Sequence, residues 1–261
     1  KISGADTPFP SSNIRFDPPD IRIHSIKFIK AKNAILNIGD ISRGESEGFF
    51  SVFPDPSGTV RKVPLFMEFN GIPYPSLALE TLRVGLGEEG VTIHVSKKNH
   101  SIYKVSIGDR VIPTDEKGQV TVNFRGYVKQ FPYVPAVEIL KGRSLGRLRN
   151  KFVLIGTSAP GLRDLKATPF SSNFPGVEVH ANVIDNLMAG DPMVYDSYTE
   201  IAMTYLFIIV GGISLCALLA FSTPLSQGLG WVLFFVATVA GSHFFFLHNS
   251  IVGITYPLVT I

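Results

Sequence analysis

The sequence predicts a mixed-sheet α/β domain followed by a transmembrane α-helical segment, and three observations carry that reading. All 24 basic and 21 acidic residues lie between Lys1 and Glu200, while Ile201 to Ile261 contains no Lys, Arg, Asp or Glu. Short apolar runs separated by Gly, Pro, Asn and Asp recur through the charged part, the pattern of strands joined by turns. Three stretches among them read as helices that stop at glycine. A wholly soluble protein is excluded, since the charge-free tail has no solvated face to present to water.

In the charged part, Ala34 to Ile38 and Phe49 to Phe53 read as short strands. Asp55-Pro56-Ser57-Gly58 reads as a turn into a long strand, Thr59 to Phe69, ended by Asn70-Gly71. Tyr74 to Gly85 begins with Pro75 and Ser76, runs through Leu77, Ala78, Leu79 and Leu82, and stops at glycine, as a helix does. Strands follow at Val91 to Val95, Ile102 to Ile107 and Val120 to Phe124, then a helix at Tyr133 to Lys141 closed by Gly142. Lys151-Phe152-Val153-Leu154-Ile155-Gly156 is a continuous apolar run, which reads as a central strand buried on both faces. Gly176 to Gly190 reads as an amphipathic helix. Val177, His180, Ala181, Ile184, Leu187 and Met188 form its apolar arc, opposite Glu178, Asn182, Asp185 and Asn186.

The tail divides into spans. Ile201 to Phe221, as a helix, covers about 31 Å and matches a bilayer core of about 30 Å. Leu229 to Leu247 is a second span, joined to the first by a turn at Ser222 to Gly228, and Ile251 to Ile261 starts a third. Tyr195, Tyr198, Tyr205 and Trp231 stand where interfacial anchors stand. His243 reads as a neutral ring near the interface, because no span holds a carboxylate to pair with it. The loops carry no Lys or Arg, so charge alone leaves the orientation open.

Composition limits the chemistry. The net charge is +3, and the basic cluster Lys141 to Lys151 has no interleaved aromatics, which argues against a nucleic-acid partner. Cys216 is the single cysteine, so neither an intrachain disulfide nor a Cys-based metal site is available. The chain begins at Lys1 with no signal-like segment, and a fragment of a longer protein is expected.

Nineteen residues, Thr157 to Pro175, separate the apolar run from the helix after it, a length at which loops are often functional. Gly156 and Gly161 have the spacing of a phosphate loop, but Leu162 and Arg163 stand where Lys and Ser or Thr are needed, and Pro160 removes one N–H. A milder reading places a small anion or carboxylate on Thr157, Ser158 and Arg163, with Asp164 and His180 alongside. Against it, Arg163 and Asp164 lock the loop by an ion pair and His180 is a core histidine. Pairing His180 with Glu178 or Asp185 fails on helical geometry, since residues two or five apart do not share a face. Asp55 and Arg61 suit a pocket or a turn equally well. No nucleophile stands beside a base and no carboxylates pair at usable spacing, so no catalytic residue, metal or cofactor is expected within this chain.

Asp55-Pro56-Ser57-Gly58-Thr59-Val60-Arg61-Lys62-Val63-Pro64-Leu65 and Tyr74-Pro75-Ser76-Leu77-Ala78-Leu79-Glu80 resemble the middle of the type 2 CHASE domain, an extracytoplasmic sensory module. Asn123-Phe124-Arg125-Gly126, Lys151 to Ala159, Thr168-Pro169 and Pro175 to Leu187 resemble that family's closing signature. The resemblance implies a sensor at 1–200 outside the bacterial inner membrane, closely spaced spans, and a cytoplasmic output, foremost an adenylate or guanylate cyclase. A histidine kinase or serine/threonine kinase is the alternative output. It further implies an unknown extracytoplasmic ligand and a homodimer through the membrane and output regions. Two other classes stand beside it: an envelope protein-interaction module, which an exposed apolar patch would favour, and an extracytoplasmic hydrolase, which needs a cleft with a nucleophile and base.

Overall fold

The structure, a computed structural model, describes residues 2–3, 13–37, 41, 44–159, 161, 164–193, 197–221 and 223–247. They fall into two units, Lys1–Pro192 and Met193–Ile261.

The first unit is built from small mixed sheets and two packed helices. Strand β1 (Ile2–Ser3) pairs in parallel with β4 (Ala34–Ile35). The largest sheet contains β2 (Ile14–Asp17), β8 (Val91–Val95), β9 (Ile102–Ile107) and β10 (Arg110–Pro113), in the order β10-β9-β8-β2 with only the β2–β8 pair parallel. Another joins β3 (Ile29–Lys30), β6 (Phe66–Phe69) and β7 (Ile72–Pro75). Strand β5 (Lys62–Pro64) pairs antiparallel with β11 (Gln119–Thr121), and β12 (Leu165–Lys166) with β13 (Phe174–Pro175). Helix α1 (Leu77–Leu86) packs on α3 (Gly176–Ala189), while α2 (Ala136–Leu140) is a short turn of helix without buried residues. Leu65, Phe66, Leu79, Ile93, Phe174, Val179 and Val183 are fully buried in one apolar core. Burying each such side chain contributes about 1.5–3 kcal/mol relative to leaving it in water.

Expected elements are found in altered form where a local interaction overrides the pattern. The helix expected from Tyr74 starts at Leu77, because Tyr74 and Pro75 complete the β6–β7 hairpin and Ser76 caps the helix by accepting from Leu79 N at 3.3 Å. Its end at Gly87 (φ +72°) is the left-handed cap a glycine permits. The long strand expected at Thr59 to Phe69 breaks at Leu65, whose N–H turns to Gly118 O and whose carbonyl accepts from Ser76 N. Phe49 to Phe53 forms a single parallel bridge, Phe49 with Ser76, rather than a strand. Ala34 to Ile38 keeps strand form at Ala34–Ile35, and Ile38 lies outside the described residues.

The largest departure is at Lys151 to Gly156. Among the described residues this run joins no sheet, and Val153 and Ile155 are 48% and 96% exposed. Apolar continuity specifies an extended chain; whether it is covered depends on neighbours that sequence periodicity does not supply.

The second unit contains α4 (Ser197–Phe221) and α5 (Pro224–Leu247), packed on one another. An added Cβ at Gly241 would stand 3.5 Å from the Phe207 ring, and Thr238 is buried with its hydroxyl donated to Phe234 O. The turn expected over Ser222 to Gly228 is shorter: Pro224 occupies the first helical position, and Ser226, Gln227 and Gly228 are helical. Among the described residues, Pro224–Leu247 is long and apolar enough to cross a membrane, while the apolar stretch Ile201–Ser214 within α4 is shorter. The third span expected at Ile251 to Ile261, and Tyr195, lie outside the described residues.

Candidate functional site

Among the described residues of the first unit, the most connected polar assembly lies along the polar arc of α3. That arc does not face water: Glu178, Asn182 and Asn186 are 2%, 1% and 1% exposed. They hold the segment that follows β11. Asn186 accepts from Asn123 N at 2.8 Å through Oδ1 and donates to Asn123 O at 2.9 Å through Nδ2. One turn earlier, Asn182 Oδ1 accepts from Arg125 N at 2.9 Å. The two asparagines thus take the place of a neighbouring strand for residues 123–125, which is why the expected strand Val120 to Phe124 ends at Thr121. Phe124, between them, points the other way and packs edge-on against Phe174 at 5.4 Å.

Glu178 closes the far end. Its carboxylate accepts from Lys129 N at 3.1 Å, Gln130 N at 3.0 Å and the Tyr133 hydroxyl at 2.8 Å. Lys129 adopts φ +73°, a conformation that costs a side-chain-bearing residue energy and that the Glu178 bond holds in place. Burial, and then hydrogen bonding to Glu178, hold the Tyr133 phenol pKa well above its ordinary value.

Arg125 connects this assembly to the end of the unit. Its guanidinium forks onto Asp191 at 2.7 and 2.8 Å and gives Nε to Asp185 at 2.5 Å. Asp191 is its largest partner, followed by Asp185, and both raise the guanidinium pKa against the opposing effect of burial. Asn123 Nδ2 also donates to Asp191 O at 3.2 Å. The chain is therefore fixed two residues before the second unit begins at Met193.

The residues expected to bind an anion separate between surface and core. Thr157 and Ser158 are exposed, Asp164 pairs with Lys166 at 3.5 Å, and Arg163, with Pro160 and Leu162, lies outside the described residues. The Asp164 carbonyl accepts from Gly176 N at 2.8 Å, so Asp164 seats the start of α3. His180 is a buried residue whose Nε2 bonds Phe50 O at 3.0 Å, and its Nδ1 finds no partner among the described residues. Burial lowers its pKa.

Asp55 and Arg61 adopt the turn role. Asp55 accepts from Ser57 N at 2.9 Å and Ser57 Oγ at 2.6 Å, and pairs with Arg61. The Ser57 hydroxyl first, then Arg61 and two backbone N–H groups, hold its carboxyl at about 2. The same device recurs at Asp115, which accepts from Lys117 N and Gln119 N and pairs with Lys62. Asp115-Glu116-Lys117-Gly118 has the Asp-to-Gly spacing of the first turn and could have been read from it. On the largest sheet, Asp17, Pro18, Val95, Ser96, Lys97, Asn99, Ser101 and Tyr103 line a shallow, open depression of about 670 Å³. Asp17 there is hydrogen-bonded to His94 Nδ1 at 2.7 Å. Among the described residues no three His, Cys, Asp or Glu side chains cluster to hold a metal ion.

The first unit is a mixed α/β domain with a buried polar clasp along α3, and a helix long and apolar enough to cross a membrane follows it in the sequence. The chain belongs to the CHASE2 domain family, whose model matches residues 13–217, more than three quarters of its length. CHASE2 domains are extracellular sensor domains of signalling receptors. No curated protein and no solved structure matches the chain.

Proposed function

We propose that this chain is the sensory and membrane-spanning portion of a bacterial receptor, with residues 1–200 outside the inner membrane and a cyclase as the cytoplasmic output. The family match carries the sensor part of this reading. Charge-free sequence from Ile201 onward supports more than one span, with α4, α5 and the stretch Ile251 to Ile261 as the crossings. An adenylate or guanylate cyclase is favoured over a kinase on family resemblance, and the output domains act as a homodimer. An extracytoplasmic ligand would act only through its differential affinity for two packings of the sensor. The clasp supplies a route for that difference: a shift of the 123–133 segment reaches Asp191, at the membrane-proximal end of the sensor, through Arg125. Thr157, Ser158, Arg163, Asp164 and His180 remain the proposed ligand contacts, with His180 acting from the core.

The test is expression of the full-length gene in cells devoid of their own cyclase, with cyclic nucleotide measured by immunoassay. Accumulation that Arg125→Gln alters without changing membrane abundance supports the reading. Absence of cyclic nucleotide under all conditions refutes the cyclase output. A second reading, binding of an envelope protein, is favoured by the exposed apolar run at 151–156.

A further inference from the structure

His180 lies on the apolar arc of α3 with 6% of its surface exposed, and its ring ties two elements together. Nε2 stands 3.0 Å from Phe50 O; a carbonyl only accepts, so the neutral ring carries its proton on Nε2 and a lone pair on Nδ1. Nδ1 is itself buried, out of reach of any chain laid over the surface, and has no hydrogen-bond partner among the described residues. Phe50 belongs to the stretch that bridges to the start of α1. There Phe49 N donates to Pro75 O at 3.1 Å and Leu77 N donates to Phe49 O at 2.7 Å. The His180 ring thereby links the middle of α3 to the N-terminus of α1.

A second acceptor for the ring lies one helical turn away. Gly176 is four residues before His180, hence on the same face of α3, and the Asp164 carboxylate is so close to it that an added Cβ would overlap. Helical side chains lean toward the turn before them, which is the turn Asp164 covers. Burial chiefly lowers the pKa of the ring and Lys166 adds to it, while the Phe50 bond and Asp164 act against them. Other charges on the surrounding described elements are Glu45 and Glu47 on the Phe50 stretch, Glu80 and Arg83 of α1, which pair with each other, and two on the opposite arc of α3. Those two, Glu178 and Asp185, are held by the 129–133 segment and by Arg125. We propose that the stimulus is the proton: His180, protonated from solvent at Nδ1, turns from Phe50 O to the Asp164 carboxylate and unties α3 from the stretch that holds α1. This names the stimulus for the receptor reading above and rests on its placing of the sensor outside the membrane. The docked ring stays neutral while the turned ring takes a proton, so each pH unit below about 6.5 favours release about tenfold.

The test is hydrogen exchange of the full chain in detergent micelles at about pH 7.5 and about pH 5.5, corrected for the intrinsic amide rate at each pH. Expected is a rise of about tenfold in exchange at Phe49 and Leu77 in acid, with the amides of β8 and β9 unchanged. His180→Gln keeps a donor at the Nε2 position but cannot titrate, and it flattens the response. Asp164→Asn moves the midpoint to lower pH and Lys166→Gln moves it to higher pH, and this pair decides the matter where His180→Gln does not fold. Equal corrected exchange at the two pH values overturns the proposal, as does a response that survives His180→Gln in a folded chain or a midpoint that neither neighbouring variant moves. The receptor reading fails separately. Absence of cyclic nucleotide from the full-length protein at every pH refutes the cyclase output and leaves the exchange result standing, whereas cyclic nucleotide that does not change with the pH of the medium overturns the proton as stimulus.

Discussion

Replacing Glu178 by glutamine tests the clasp with least change of shape. The carboxylate is 2% exposed and serves three donors, two through Oε2 and one through Oε1. An amide oriented with its oxygen at the Oε2 position still accepts from Lys129 N and Tyr133, but its NH2 then opposes the N–H of Gln130. One hydrogen bond to a charged group is lost and one donor is left facing another, an expected cost of about 1.5–3 kcal/mol. Glu178→Ala removes all three acceptors and is expected to cost about 3–5 kcal/mol, less than the sum because water enters the opened site. Tyr133→Phe leaves both backbone bonds intact and costs about 1–2 kcal/mol. The expected order is therefore Ala, then Gln, then Phe. Urea unfolding of the full chain in micelles, followed by circular dichroism, gives the order, and hydrogen exchange at Lys129 and Gln130 gives the location. A Glu178→Gln cost below about 0.5 kcal/mol, with exchange at Gln130 unchanged, would refute the claim that this carboxylate holds the segment.

Three further outcomes are expected. Arg125→Gln removes a forked pair that is partly open to water, so it lowers stability by only about 1–2 kcal/mol; Arg125→Lys recovers less than half, since one ammonium cannot fork, and exchange near Asp191 reads both. His180 has a lowered pKa, so below about pH 6.5, its ordinary value, the unfolded chain takes up a proton that the folded chain does not; stability falls with pH until the folded site also protonates, and His180→Gln flattens that part of the profile. Gly58→Ala and Gly118→Ala both force a side chain into the left-handed region, at φ +82° and +74°, costing about 1 kcal/mol. The Gly118 variant is the worse of the two in thermal melts, because its Cβ also meets Ile102 Cδ1 at 3.0 Å while nothing lies near Gly58.

Legibility in the sequence followed the range of the interactions. Strands Val91–Val95 and Ile102–Ile107 agree with their alternation to the residue, and α3 begins and ends where Pro175 and Gly190 mark it. The Asp55 turn is equally local, since donor and acceptor lie within four residues. The candidate site was legible only in part. Glu178, Asn182, Asp185 and Asn186 stand out as one polar arc, but a polar arc normally faces solvent, and nothing in its spacing discloses that residues 123–133, some fifty positions earlier, cover it. His180 was legible as a core residue because its neighbours on the helix are apolar.

Sequence by itself determined that this chain has a charged α/β part and a charge-free helical part, where most of their elements lie, and the motifs that mark a CHASE2 sensor. Those properties depend on composition, on period and on turns of four or five residues, all of which are local. Tertiary structure alone decided which polar residues are buried and which apolar ones are not. Asn182 and Asn186 go inside because a strand-like segment presents its backbone to them, and Ile155 stays outside because no described residue covers it. Burial is a property of pairs of segments distant in sequence, so the same period that predicts a strand cannot say what lies against it.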